Sequence, residues 1–124
     1  MDASSIVIME KEDGILSKEI ASYNLEKGHN LIFKVFMENN ILNLFLTIDK
    51  EEVSDEEFEF IYEEYNFKFF EEKDFDIEEV DGYYNPIWVI KIPFLGDHKD
   101  TESIVNEVIS YHIQELDRIY NSFN

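Results

Sequence analysis

The sequence predicts an α+β fold. It is a two-layer sandwich with a six-stranded, mainly antiparallel sheet covered by two helices, in the order β-β-β-β-α-β-β-α. Three observations carry this expectation. Short apolar runs separated by Asp-Gly and Asn-Asn turns fill residues 6–48. Two later segments space their apolar residues as helices do, and the first of them opens on a capping box. A near-continuous apolar run, Ile87-Trp88-Val89-Ile90-Lys91-Ile92, reads as a central strand buried on both faces. With 124 residues, 44% of them hydrophobic, the chain reads as one acidic α+β domain spanning residues 1–124, too apolar for a disordered acidic tail.

Ile6-Val7-Ile8-Met9 is the first predicted strand, and Glu12-Asp13-Gly14 turns it into a second over residues 15–23, because Gly adopts positive φ at little cost. Lys27-Gly28-His29-Asn30 makes the next turn. Residues 31–37 form a third strand, Asn39-Asn40 turns again, and residues 41–48 form a fourth. Leu42, Leu44, Leu46 and Ile48 alternate on one face of it. Short connections make these four an expected antiparallel meander. Ser54 is the expected N-cap of a helix, with Glu57 three residues on and Phe58, Ile61, Tyr62 and Tyr65 on its buried face. An aromatic connector, Phe67-Lys68-Phe69-Phe70, leads to a fifth strand over residues 75–80. Pro93 and Gly96 end the sheet, and Asp100 or Thr101 caps a last helix. The stripe of that helix is Val105, Val108, Ile109, His112, Leu116, Ile119, Tyr120 and Phe123.

Charge is the most informative feature for function. The net charge is −19, and residues 49–81 hold sixteen acids against three lysines, which is −13 of that total. Such a surface repels nucleic acid and anionic membrane and attracts basic proteins and cations. Cysteine is absent, so thiol nucleophiles and thiolate metal sites are excluded. Met1-Asp2-Ala3-Ser4-Ser5 lacks the basic start of a leader, and no apolar run is long enough to span a membrane; the expected location is cytoplasmic.

Met1-Asp2-Ala3-Ser4-Ser5-Ile6-Val7-Ile8-Met9-Glu10-Lys11 resembles the opening of small acidic proteins of unknown function from clostridia and their relatives. Ile77-Glu78-Glu79-Val80-Asp81 followed by Asn85-Pro86-Ile87-Trp88-Val89-Ile90-Lys91 resembles the same family. The resemblance implies no activity. A looser fold analogy is with bacterial secretion chaperones, from which this chain departs by lacking a helix before its strands.

The predicted acidic helix is the leading candidate site. With Phe58 inward, Glu56, Glu59, Glu63 and Glu64 fall on the far side and Phe60 falls among them, which is the pattern of an aromatic anchor with a charged rim. The competing reading packs Phe60 under the aromatic connector. Glu71, Glu72, Asp74, Asp76 and Glu78 extend the acidic surface. Carboxylates three and four apart on a helix lie roughly 5–6 Å from one another, near the spacing of backbone phosphates. A protein that binds phosphates through Lys and Arg could accept such an array. Solubility alone asks for a net charge of only about 2–8 in a small domain.

Other chemistries are poorly supported. From Asp74, an EF-hand would need Gly sixth and Glu twelfth, where Glu79 and Asn85 stand. His112 reads as a core residue, His29 as a turn residue, and His98 as a loop residue between Asp97 and Asp100. No metal or cofactor is expected, and no nucleophile motif or basic patch is present. The expected function is a non-enzymatic acidic protein that docks on a basic partner, most concretely a phage-type inhibitor imitating nucleic acid on a nuclease or other nucleic-acid-binding protein. The alternative is an adaptor or chaperone-like homodimer that binds an apolar client segment.

Overall fold

A computed structural model describes residues 4–123. Met1 to Ala3, part of the stretch read as lacking a leader, and Asn124 lie outside the described residues. Six strands form one sheet: β1 (Ser4–Glu12), β2 (Ile15–Leu25), β3 (Ile32–Glu38), β4 (Ile41–Leu46), β5 (Asp76–Glu79) and β6 (Trp88–Pro93). Helices α1 (Asp55–Glu64) and α3 (His98–Ser122) pack on one face of it. The aromatic connector, expected as a loop, contains a short helix, α2 (Lys68–Glu72), whose Phe70 is fully buried. The architecture is therefore the expected α+β sandwich of six strands. None of the helices formed by the described residues is long and apolar enough to cross a membrane.

Both predicted hairpins form where the turn residues tolerate left-handed backbone. Asp13 and Gly14 have φ of 52° and 80°, and Asn39 and Asn40 have φ of 53° and 61°. The expected meander, however, breaks after β2. The sheet order is β2-β1-β3-β4-β6-β5, so β3 pairs with β1, and in parallel, rather than with β2. The cause is that helix α3 occupies the outer edge of β2. The Asn24 N–H donates to the Glu102 carboxylate at 2.7 Å, and the Glu26 N–H donates to the Asn106 side-chain oxygen at 2.9 Å. The Asn106 amide in turn donates to the Asn24 carbonyl at 2.9 Å. The chain then passes the start of β1 through Gly28, which has φ of 79° and lies so close to α3 that a Cβ there would sit 2.4 Å from Ile109 Cγ2.

The core lies between the sheet and the helices. Leu42, Leu44 and Leu46 of β4 pair with Ile92, Ile90 and Trp88 of β6, and all six are inaccessible. Val105, Val108, Ile109, His112, Leu116 and Ile119 of α3 cover them, as their spacing predicts, with Tyr120 and Phe123 only half-buried. Strand β6 lies inside the sheet as expected, between β4 and β5; Val89 is buried on its far face, while Lys91 remains partly exposed. Strand β5 is shorter than predicted because Phe75 and Val80 leave the ladder at either end. Helix α3 begins earlier than predicted. Asp97 is its N-cap and accepts the backbone N–H groups of Lys99 at 2.8 Å and Asp100 at 3.2 Å. His98, expected in a loop, is thus the first helical residue.

Candidate functional site

Helix α1 is placed by local chemistry at its start and by packing along its inner side. The Glu57 N–H donates to Ser54 Oγ at 3.1 Å, and Asp55, Glu56 and Glu57 occupy the first turn, where the helix dipole favours negative charge. Ile61 and Tyr65 are buried, while Phe58 and Tyr62 are half-buried. The Tyr62 hydroxyl accepts the Ile87 N–H at 3.0 Å and reaches the Ile87 carbonyl, which ties α1 to the neck of the β5–β6 loop. These contacts fix the helix's rotation, so its outer side is set.

That outer side presents Glu56, Glu59 and Glu63, all exposed. None of the three lies within ion-pair distance of a base among the described residues. Glu64 differs. Arg118 approaches its carboxylate at 3.7 Å, donates to its backbone carbonyl at 2.6 Å, and binds Glu115 at 2.6 Å. The Glu115 hydrogen bond is the main reason that the guanidinium pKa lies above its usual value. Glu57, on the flank of the helix, is held by Lys50.

Phe60 is not the free aromatic anchor expected from its position. It is half-buried against Phe123 at the end of α3, with ring centroids 5.1 Å apart, and joins the edge of the core. The alternative expectation, that it packs under the connector, also misses the observed partner.

The remaining acids divide between two other places. Glu71 and Glu72 are exposed on α2, and Asp74 stands exposed in the following turn with φ of 61°. Asp76 and Glu78 of β5 pair with Lys91 and Val89, which alternate with the helix-facing Ile90 and Ile92. They therefore face the side of the sheet away from α1. Asp74, Asp76 and Glu78 form no grouping that could hold a metal ion, nor does any other set among the described residues. The single carboxyl of this region with a raised pKa is Glu79, through burial and then the neighbouring Asp81.

The histidines are structural in their contacts. His112 is fully buried, as expected of a core residue. Its Nε2 lies 2.8 Å from the Thr47 carbonyl and must donate, which leaves Nδ1 to accept from the Tyr65 hydroxyl at 2.7 Å. Burial pushes its pKa down to about 4. His98 Nδ1 lies 2.8 Å from the Tyr23 hydroxyl, and its ring stacks near Phe94 at 4.6 Å.

Sequence reasoning missed one concavity. A groove of about 900 Å³ runs along α3, lined by Asn24, Phe69, Glu102, Asn106, Tyr111 and Gln114 among others. Phe69 and Tyr111 stack there at 4.4 Å with planes 6° apart. Its signal in the sequence was weak, because the polar residues of α3 that line it also fit an ordinary solvated helix face.

The molecule belongs to the α+β class, with a mixed, mostly antiparallel open sheet, helices on one face and an acidic helix turned outward. The chain belongs to the family of unknown function DUF6762, whose profile matches residues 1–124. No curated protein and no solved structure matches the chain. Like the family that its opening and Trp-bearing strand resemble, DUF6762 carries no assigned activity.

Proposed function

We infer that the protein is a non-enzymatic binding protein that presents the outer side of α1 to a basic partner. The observation that carries this reading is the stripe Glu56, Glu59 and Glu63. These are three exposed carboxylates on a capped and well-packed helix, with no cation near them among the described residues. Spaced by three and four residues, they lie roughly 5–6 Å from one another and make a row of anions that needs no rearrangement to meet a row of bases. The most concrete partner is a protein that normally binds nucleic acid, whose phosphate-contacting lysines and arginines would accept this row instead. With Phe60 committed to Phe123, the acids supply steering and register, and apolar contact must come from neighbouring surface.

Capture of host proteins on the immobilised chain, compared with a Glu56→Gln, Glu59→Gln, Glu63→Gln variant, tests the reading. The wild type is expected to hold basic, nucleic-acid-binding proteins that heparin or moderate salt releases. The variant is expected to retain its fold, since Gln and Glu have similar helix propensity, and to lose that capture. Equal capture by both proteins sinks the α1 reading. The rival, a homodimeric adaptor for an apolar segment, draws on a separate observation, the aromatic residues on the uncovered face of the sheet. Capture through that face should respond weakly to salt.

A further inference from the structure

The sheet face turned away from the helices carries an apolar layer of its own. Two adjacent cross-strand rows cross it from β3 to β5. One consists of Lys34, Phe45, Val89 and Glu78, and the other of Phe36, Asn43, Lys91 and Asp76. Phe36 and Val89 are buried there yet stand apart from the main core. On β1, Ile6 and Ile8 point into that core, which leaves Val7 on the far side, 47% exposed. Two lysine stems lie over the rings: the Lys11 ammonium is 4.5 Å from the centre of Phe36 and that of Lys34 is 4.6 Å from the centre of Phe45. Near the β5–β6 loop, Phe33, 42% exposed, meets Tyr83 edge-on at 5.0 Å. An antiparallel sheet with one solvated face normally alternates apolar and polar residues. Here large apolar side chains occupy both faces.

Charge on this face is segregated. Lys11 and Lys34 stand on β1 and β3, whereas Asp76 and Glu78 stand on β5 at the opposite edge. A two-fold axis parallel to the strands would lay β5 of one copy over β1 and β2 of another, so that acids meet bases at both ends and phenylalanines meet in the middle. We propose that the uncovered sheet face is a homodimer interface, with two copies packed sheet to sheet about such an axis. Six strands spaced at about 4.8 Å, and about 20 Å long or more, give roughly 600 Å² of projected sheet. Side-chain relief brings this to the scale of the roughly 800 Å² per partner that a standard interface buries. The dimer turns its helices outward, so both α1 stripes stay accessible. The inference does not depend on what α1 binds.

Sedimentation equilibrium at about 0.15 M salt, where charges more than about 8 Å apart are screened, is expected to give twice the mass of the 14.8 kDa chain. Asp76→Lys with Glu78→Lys is expected to weaken the dimer roughly tenfold. Adding Lys11→Glu and Lys34→Glu should restore it, a rescue that a merely destabilised fold would not show. Phe45→Lys, with the fold checked by circular dichroism, should give monomer. A wild-type monomer at every measurable concentration overturns the proposal and assigns the face to a different protein. So does a dimer indifferent to both the charge reversal and Phe45→Lys. The glutamine variant of α1 should dimerise normally; loss of the dimer there would move the interface to α1 and also overturn the proposal.

Discussion

His112 shows how one side chain can set the response of the fold to acid. Its two ring nitrogens are both engaged, Nε2 as donor to Thr47 and Nδ1 as acceptor from Tyr65, and no water reaches them. A second proton would have to enter at Nδ1, against the hydroxyl that now donates to it. Burial dominates its pKa, while the Thr47 carbonyl and the charges of Asp49 and Glu115 pull weakly the other way, and the result is about 4. An unfolded chain has a histidine near 6.5, so below that pH the unfolded state takes up a proton that the folded state refuses. The contribution of neutral His112 is therefore complete above about pH 6.5 and is lost as pH falls toward 4, up to about 3 kcal/mol in all. Urea midpoints at about pH 7.5 and about pH 5 should show the wild type losing stability. His112→Gln should start lower, for want of one hydrogen bond, yet change less between the two. Equal slopes would remove His112 as the titrating group.

At the level of elements, what was legible in the sequence was local. The Ser54 cap, the inner stripe of α1, the alternation of β4 and both hairpin turns each depend on residues a few positions apart, and each stands where the sequence puts it. The parallel pairing of β3 with β1 was not legible, because its cause is distant: Glu102 and Asn106 close an edge of β2 some eighty positions earlier. The same distinction explains the candidate site. Helical period alone turns Glu56, Glu59 and Glu63 outward, but Phe60 found Phe123, and Asp76 and Glu78 lie on the side of the sheet that helices α1 and α3 leave open. The edge closure can be tested directly. Asn106→Ala removes the partners of the Glu26 N–H and the Asn24 carbonyl at an exposed edge, where water can replace them, so the cost should be only about 1 kcal/mol. Amide exchange at Glu26 should accelerate selectively, with the interior strand β4 unaffected. Uniform acceleration across the sheet would mean that the contact supports the whole fold rather than its edge.

The whole molecule must hold together a net charge of −19. Ion pairs among the described residues engage Glu10, Glu57, Glu64, Glu107 and Glu115, and these lie at scattered points rather than across the acidic helix. Most of the repulsion is thus between exposed carboxylates, and screening should relieve it. Raising salt from about 0.01 M to about 0.15 M shortens the Debye length from about 30 Å to about 8 Å, and the melting temperature is expected to rise by several degrees. Acidification should relieve the same repulsion by protonating carboxylates, as the composition alone suggests. The buried His112 acts in the opposite direction over the window from about pH 6.5 to 4. The two effects can be separated in one set of melts. Wild type should gain from salt at neutral pH yet lose stability on mild acidification, whereas His112→Gln should gain from salt and lose less, or even gain, on acidification. A melting temperature indifferent to salt would mean that the carboxylates carry bound cations or a partner, and the stripe on α1 would then be occupied rather than free to recruit one.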